Sequence, residues 1–235
     1  MRHTARKFAV ASTFFSMFVK GFECGPLYTF AYLVSDAVPD AQGVASACVI
    51  DCSYSSTPLI LQEARARGFR IEYILNTHGH FDHSADNHPL QRATQAPILI
   101  HPSDEWRLTT PYKEPFPIPF PITPTRASTY LKDGDRLRVG SLEFEVLYTP
   151  GHTLGSVCFY EPHHKVLFAG DTLFKDSVGR WDFVDGDLHA LTRSLARLMT
   201  LPDDVRVYPG HGEPTTIGRE RTMNPLIQQL LRHLR

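Results

Sequence analysis

The sequence predicts a layered α/β domain. Segments rich in β-branched and aromatic residues alternate with segments of helical pattern, and most of them are separated by short turns. The chain has 235 residues, a length that suits one domain with an ample apolar core. We therefore take residues 1–235 as a single domain, in which residues 1–13 form a flexible tail.

The first strand is predicted near the N-terminus, where a second interpretation competes with it. Basic residues precede an apolar run over residues 8–19, which superficially resembles a signal peptide. No small-x-small cleavage site follows, and Lys20 and Glu23 come soon after the run. We therefore favour a strand over residues 14–19.

The next elements alternate strands with helices. Residues 28–34 (YTFAYLV) and 45–51 (ASACVID) have strand composition. A helix follows, with Thr57 as its N-cap, Pro58 at its first position and Gly68 just after its end. We further predict a strand over residues 71–77, a helix over 87–94 and a short strand over 98–101.

Residues 111–125 (PYKEPFPIPFPITPT) are rich in proline and phenylalanine. Because proline cannot donate to a strand ladder and disfavours helix, we predict an irregular loop. Two roles remain open for this loop: a surface cover, or a wall or lid over a pocket.

The rest of the chain is predicted to add a hairpin, further strands and two helices. Residues 137–139 and 142–148 are strands joined by a turn at Gly140-Ser141. Leucines at helical spacing predict an amphipathic helix over residues 187–199, with its apolar face in the core. The remaining predicted elements are strands over residues 156–160, 166–169 and 205–208 and a closing helix over 225–234.

Composition limits the partners and the location. The formal net charge of -1 predicts no basic surface for nucleic acid or for an anionic membrane. No stretch approaches the roughly 20 apolar residues that a membrane span requires. The four cysteines include no C-x-x-C pair, so we expect free thiols and a cytoplasmic location. We expect a small-molecule substrate, and the sequence leaves the oligomeric state open.

A dense run of ligand-type residues follows the strand predicted at 71–77. His78, His80, Asp82 and His83 lie within six residues. Imidazole nitrogen with carboxylate oxygen suits zinc, iron or manganese better than copper or calcium. A polar surface loop is the alternative, but it does not explain so many ligand types directly after an apolar strand.

Three further ligand-type residues share one setting. His152, Asp171 and His211 each follow a predicted strand and stand beside a glycine. The ends of neighbouring strands converge in space, and glycine permits close approach of the backbone. Seven ligands exceed what one tetrahedral ion takes, so we predict two divalent ions, zinc before iron or manganese, that share a water. The predicted ligands are His78, His80, Asp82, His83, His152, Asp171 and His211, and Asp171 can bridge because its carboxylate has two oxygens.

The ordered motifs resemble those of the metallo-β-lactamase fold superfamily. They are THGHFDH at 77–83, TPGHTLGS at 149–156, GDTLF at 170–174 and PGHG at 209–212, and the resemblance extends from about residue 27 to 225. It implies a four-layered αββα sandwich with the metals at one edge of two sheets. It also implies that one ion binds His78, His80 and His152, that the other binds Asp82, His83 and His211, and that Asp171 bridges them.

Within that superfamily the chain is most similar to short glyoxalase II-like (hydroxyacylglutathione hydrolase-like) enzymes. Residues 177–183 (SVGRWDF) resemble their G-R-x-D segment, and residues 212–225 resemble the segment after their last ligand. The sequence departs from the family at 84–86 (SAD), where a small pair is common, and at 51–53 (DCS), where D-P-G is usual. Full-length glyoxalase II enzymes carry a C-terminal helical region that grips glutathione, whereas this chain ends soon after Pro225, so glutathione recognition stays open.

The resemblance implies hydrolysis of a thioester such as hydroxyacylglutathione, in which a metal-activated hydroxide attacks the carbonyl and Asp82 holds or shuttles the proton of the water. Arg180, Trp181 and Phe183 are candidate substrate-binding residues. The alternative for them is a structural loop, in which Arg180 pairs with Asp182 or binds carbonyl groups.

Four other functions compete with this hypothesis. A mono-iron persulfide dioxygenase on the same fold would use His78, His152 and Asp171. A lactonase or β-lactamase-type hydrolase is a second alternative. A nuclease is disfavoured because no basic patch is evident. A non-enzymatic binding protein would be expected to lose ligands, and the ligand set here is intact.

Overall fold

A computed structural model describes residues 17–115 and 117–232, and its strands form two six-stranded sheets. The first sheet follows chain order: β1 (Phe18–Cys24), β2 (Thr29–Pro39), β3 (Ala45–Ile50), β4 (Phe69–Leu75), β5 (Ile98–Ile100) and β6 (Thr129–Tyr130). The later strands are β7 (Arg136–Val139), β8 (Leu142–Tyr148), β9 (Val157–Glu161), β10 (Val166–Gly170), β11 (Leu173–Phe174), β12 (Ser177–Val178), β13 (Arg206–Pro209) and β14 (Thr215–Thr216). The second sheet has the order β14-β13-β10-β9-β8-β7, and β11 with β12 forms a separate hairpin.

Seven α-helices are described within the same ranges. They are α1 (Thr57–Arg67), α2 (Phe81–Ser84), α3 (Asn87–Thr94), α4 (Glu105–Thr109), α5 (Leu188–Leu198), α6 (Ile217–Met223) and α7 (Pro225–Arg232). None of them is both long enough and apolar enough to cross a membrane.

The alternation of side chains along the strands builds the layers. In β2, Tyr32 and Val34 pack between the two sheets, whereas Ala31 and Leu33 pack on the opposite face with residues of α1 and α3. The same alternation in β8 and β9 fills the space between the second sheet and the helices α5 and α7. Three apolar layers therefore separate four layers of backbone, and the predicted αββα sandwich is confirmed.

The predicted elements agree with the observed ones to within two residues, except for β1 and β2, which each end five residues later than predicted. The amphipathic helix shows why the agreement is good. Leu191, Leu195 and Leu198 are fully buried on the inner face of α5. The carboxylate of Asp187 accepts a hydrogen bond from the backbone N–H of Ala190 at 2.8 Å, which fixes the start of the helix.

The N-cap of α1 is Ser56, so the prediction of Thr57 was wrong by one residue. The side chain of Ser56 makes no capping bond. Instead the carboxylate of Asp86 accepts hydrogen bonds from the backbone N–H groups of Ser55 and Thr57, at 3.1 and 2.8 Å. Gly68 ends the helix in the left-handed conformation, as predicted.

Other boundaries also differ from the predictions. The strand expected at 71–77 spans Phe69–Leu75, and the histidine-rich loop contains the short helix α2. Residues 111–115 and 117–125 are irregular apart from one 3₁₀ turn, as predicted for this loop. The tail at 1–13 and most of the apolar run at 8–19 lie outside the described residues, and the first described strand begins at Phe18. The cysteines are free thiols, three of them buried and Cys24 partly exposed.

Candidate metal centre

The predicted ligands meet at one edge of the sandwich, where both sheets contribute loops. His78 to His83 follow β4 of the first sheet. His152, Asp171 and His211 follow β8, β10 and β13 of the second sheet. Their donor atoms form three overlapping groups whose members lie within 4.8 Å of one another: His78, His80 and His152; His78, His83 and Asp171; and Asp82, His83 and His211.

The first group consists of three buried imidazoles. Nε2 of His78 lies 3.1 Å from Nδ1 of His80, and Nε2 of His152 lies 2.9 Å from the same Nδ1. Burial and the neighbouring histidines hold the pKa values of His78 and His80 well below the usual value, and burial also lowers the pKa of His152. The three rings are therefore neutral at neutral pH, and the neutral imidazole is the form that binds a metal.

The group of Asp82, His83 and His211, called the second group from here on, combines a carboxylate with two imidazoles. Oδ2 of Asp82 lies 3.5 Å from Nε2 of His83 and 3.3 Å from Nε2 of His211, and the two Nε2 atoms are 3.4 Å apart. The hydroxyl of Thr29 donates to the same Oδ2 at 2.8 Å. Thr29 was not predicted, because a threonine at the start of a strand carries no local signal.

Asp171 lies between the two groups. Its Oδ2 is 3.5 Å from Nε2 of both His152 and His211, and its Oδ1 is 3.3 Å from Nε2 of His83. That Oδ1 is buried and accepts no hydrogen bond from the described residues. A buried carboxylate oxygen without a donor is costly unless a cation lies beside it, so the donor set fits divalent metal ions.

The ionisable side chains of the second group lie close together and shift one another's pKa values. Burial alone would lower the pKa of His83, but Asp171, Asp82 and Asp51 outweigh burial and hold it well above the usual value. The carboxylates also overcome burial at His211 and raise its pKa to about 10. At Asp82 the two histidines outweigh burial and lower the pKa to about 2. A divalent cation can take the place of these imidazolium protons.

Asp51 orients two of the histidines. It accepts hydrogen bonds from the backbone N–H and the hydroxyl of Thr77, each at 2.8 Å, and its Oδ2 lies 2.8 Å from Nδ1 of His83. The hydroxyl of Thr77 lies 3.0 Å from Nδ1 of His78. Engaging Nδ1 leaves Nε2 of each ring directed at the centre. The sequence pattern predicted Asp51 only as the last residue of a strand and as the first residue of the DCS departure from the family, without a role in orienting ligands.

Backbone carbonyls orient the two histidines of the second sheet. Nδ1 of His152 lies 2.8 Å from the carbonyl oxygen of Arg180, and Nδ1 of His211 lies 3.1 Å from that of Leu27. Each carbonyl accepts from Nδ1 and leaves Nε2 for a metal. No side-chain pattern in the sequence could reveal carbonyl partners.

A buried carboxylate and a buried arginine join the loops around the first group. Oδ2 of Asp104 accepts from the backbone N–H of Gly79 and the hydroxyl of Thr153, both at 2.8 Å, and Oδ1 accepts from the N–H of Gly155 at 2.9 Å. Arg107, with its side chain 1% exposed, pairs with Asp104 and also with two further carboxylates, those of Glu114 and Asp185.

The sequence and the structure of this chain both match those of known proteins. A family model described as the metallo-beta-lactamase superfamily matches residues 24–211. The chain belongs to this superfamily. Its members use divalent metal ions, and membership supports a metal-dependent hydrolase as the general function.

Relatives within the superfamily include proteins with and without a named activity. An uncharacterized protein of Aquifex aeolicus is 37% identical over 92% of this chain and 99% of its own length. Hydroxyacylglutathione hydrolase of Maricaulis maris is 34% identical over 77% of this chain and 61% of its own length. Hydroxyacylglutathione hydrolase GloC of Haemophilus influenzae is 32% identical over 77% of this chain and 87% of its own length.

Solved structures of superfamily members resemble this one closely. BLEG-1 B3 metallo-beta-lactamase has a TM-score of 0.79 at 31% identity, over 89% of this chain and 99% of that one. TTHA1623 in a di-iron-bound form has a TM-score of 0.69 at 36% identity, over 88% and 100%. ETHE1 from Myxococcus xanthus has a TM-score of 0.73 at 28% identity, over 92% and 89%.

A cavity of about 630 Å³ opens onto the ligands of this superfamily site. Arg180 and Phe183 line it, but Trp181 packs against the apolar layer under α5 and is not among the lining residues. Arg180 also pairs with Asp182. Its position is therefore compatible with both roles considered for it, substrate binding and a structural ion pair. Pro117 lines the cavity too, which favours the wall over the cover as the role of the proline-rich loop. The lining residues that the sequence did not predict are Leu27, Phe81, Pro117, Phe174, Ser177 and Val178.

Gly210 leaves room for the side chains of Asp171 and His83, because it has no Cβ atom. A Cβ atom at this position would lie 2.2 Å from Oδ1 of Asp171 and 2.5 Å from Cε1 of His83. Gly210→Ala must therefore displace a predicted ligand, and we expect it to lower kcat/KM by on the order of 100-fold and to reduce bound metal. Hydrolysis rates and elemental analysis of the purified variant measure both effects.

Gly212 provides the matched control. It has a φ of +74°, but a Cβ atom there would meet nothing within 4 Å. Gly212→Ala should cost about 1 kcal/mol of stability through backbone strain and leave the metal content unchanged. Full metal content in Gly210→Ala would show that the ligands tolerate the added methyl group.

Proposed function

We propose that the protein is a binuclear metal-dependent hydrolase of thioesters. One observation carries the proposal: Asp171 lies within 3.5 Å of imidazole nitrogens from two groups of ligand-type side chains, and both groups contribute residues to the lining of one cavity. Two relatives bear the name hydroxyacylglutathione hydrolase, so hydroxyacylglutathione is the first thioester to test. We propose zinc as the metal, with iron as the alternative because a similar structure is di-iron-bound.

The chain's own residues define what the site does to a substrate. A pair of divalent ions, when bound, lowers the pKa of water to near neutrality and polarises a carbonyl group. The carboxylate of Asp82, held by the hydroxyl of Thr29 at 2.8 Å, can hold the water in place by accepting a hydrogen bond from it. Phe183 and Phe174 line the cavity and limit the access of bulk water to the carbonyl.

The leaving group distinguishes a thioester from an amide. The carboxyl groups that line the cavity, Asp82 and Asp171, both belong to the ligand groups. A carboxyl group that binds a metal ion is ionised, so neither is suited to protonating a leaving amine. A thiol has a pKa of about 8.5 and leaves as the thiolate without an acid. This contrast favours thioesters.

Two alternatives remain testable. A mono-iron persulfide dioxygenase would bind its iron with His78, His152 and Asp171. The second group would then have no metal ion to bind. The partners that orient this second group favour two ions. A β-lactamase activity is favoured by one specific observation, the likeness to BLEG-1 B3 metallo-beta-lactamase.

Metal content is the first measurement to make. We expect about two equivalents of zinc, or of zinc and iron together, per chain purified without added metal or chelator. Chelation should abolish thioester hydrolysis, and added zinc should restore it. One equivalent of iron alone, with oxygen consumed in the presence of a persulfide, would replace the hydrolase by the dioxygenase. Faster turnover of a chromogenic cephalosporin than of any thioester would favour the β-lactamase.

A further inference from the structure

Apart from the metal-ligand residues, most of the described residues that line the cavity are apolar. Its other lining residues are Leu27, Phe81, Pro117, Phe174, Val178 and Phe183, together with Ser177 and Arg180. The ring of Phe183 lies 5.1 Å from the ring of His80 and 5.4 Å from that of His152. The ring of Phe174 lies 6.1 Å from that of His211. Each group of ligands therefore has an aromatic ring beside it in the cavity lining, where a bound substrate can contact it.

The basic side chains at the cavity and beside it are paired with carboxylates. Arg180 is the one lysine or arginine among the described residues that line it. Its Nε and Nη2 donate to the two oxygens of Asp182 at 2.9 and 2.8 Å, and its guanidinium lies 4.6 Å from the centre of the Phe183 ring. Lys175, next in the chain to Phe174, pairs with Glu213.

We propose that this cavity selects uncharged, apolar thioesters, whose acyl chain and thiol carry no carboxylate, over thioesters of glutathione. The inference rests on the proposed function and specifies its substrate class. Glutathione brings two carboxylates, and removing a carboxylate from water is costly unless a cation or several donors receive it. An alkyl or aryl group gains from contact with the lining rings and requires no such partner.

Binding of unreactive thioethers tests the selectivity without turnover. N-acetyl-S-hexylcysteamine and S-hexylglutathione share the hexyl group and differ in the charge of the thiol part. Isothermal titration of the metal-loaded protein should give a Kd at least about 10-fold lower for the uncharged thioether. An equal or lower Kd for S-hexylglutathione would overturn the proposal.

Two variants assign the selectivity to named residues. Phe183→Ala should weaken binding of the uncharged thioether by about 10-fold. Val184→Ala is the matched control, because Val184 is 77% exposed beside Phe183 and is not among the lining residues. Asp182→Asn releases Arg180 and should strengthen binding of S-hexylglutathione by about 3-fold while leaving the uncharged thioether unchanged. Wild-type binding of the uncharged thioether by Phe183→Ala would also overturn the proposal.

The same experiment separates this inference from the proposed function. Preferential binding of the uncharged thioether, without hydrolysis of any thioester, would refute the hydrolase but support the ligand class. Hydrolysis of thioesters with preferential binding of S-hexylglutathione would support the hydrolase and refute the ligand class.

Discussion

Asp171→Ala will abolish turnover and release most of the bound metal while the domain stays folded. Asp171 is within 3.5 Å of ligand nitrogens from both groups, so its loss weakens both at once. We expect kcat/KM to fall by on the order of 1,000-fold or more. His80→Ala should have an effect of the same order, because it removes Nδ1 of His80, which lies 3.1 Å from Nε2 of His78 and 2.9 Å from Nε2 of His152. Circular dichroism, elemental analysis and thioester hydrolysis report fold, metal and activity separately.

Asp36→Ala is the matched control for a buried aspartate. Asp36 is 4% exposed and accepts hydrogen bonds from the backbone N–H groups of Val38 and Ser141, outside the ligand groups. Its loss should lower stability and leave the metal content per folded chain unchanged. If Asp171→Ala kept full metal and more than a tenth of the activity, the bridging role would be wrong.

Arg107→Met will produce the largest loss of stability. The change leaves Asp104, Glu114 and Asp185 without the cation that joins them. Removing one partner from a buried ion pair costs about 3–5 kcal/mol. Urea denaturation of the metal-free protein measures the free energy of unfolding without a contribution from bound metal. The exposed ion pair of Arg138 with Glu143 gives the control, since Arg138→Met should cost less than about 1 kcal/mol.

The stability lost by Arg107→Met should depend on pH. Burial already raises the pKa values of Asp104 and Glu114, and losing the arginine raises them further. A carboxyl group whose pKa is higher in the folded than in the unfolded protein lowers the free energy of unfolding as the pH rises through its folded pKa. The reason is that the folded state must then bury the charge. The deficit should therefore be larger at pH 8 than at pH 5. Equal deficits at both pH values would indicate lost packing rather than lost charge compensation.

That the candidate ligand residues come together could be predicted from sequence because each occupies a local pattern. His152, Asp171 and His211 all combine a ligand-type side chain, an adjacent glycine and a preceding apolar strand. The layered α/β class was predictable for a similar reason, since the period of apolar residues reports which face of a strand or helix is buried. The αββα order of the layers followed from the family resemblance.

The residues that position the ligands could not be predicted because their partners are distant in the chain. Asp104 contacts loops on both sheets, and its role becomes visible only when the chain is folded. Asp86 caps α1 from 29 residues away, which explains the error at Thr57. Strands β6 and β14 contain two residues each, too few to show a period.

The origin of the ligands in both sheets has a consequence for the order of events during biosynthesis. The first group lacks His152 and the second lacks His211 until the second sheet is made, and His83 and His211 are 128 residues apart. A nascent chain that has completed only its first sheet thus holds neither group in full. We therefore expect tight metal binding to require β13, so that the ion binds a nearly complete chain rather than guiding its early folding.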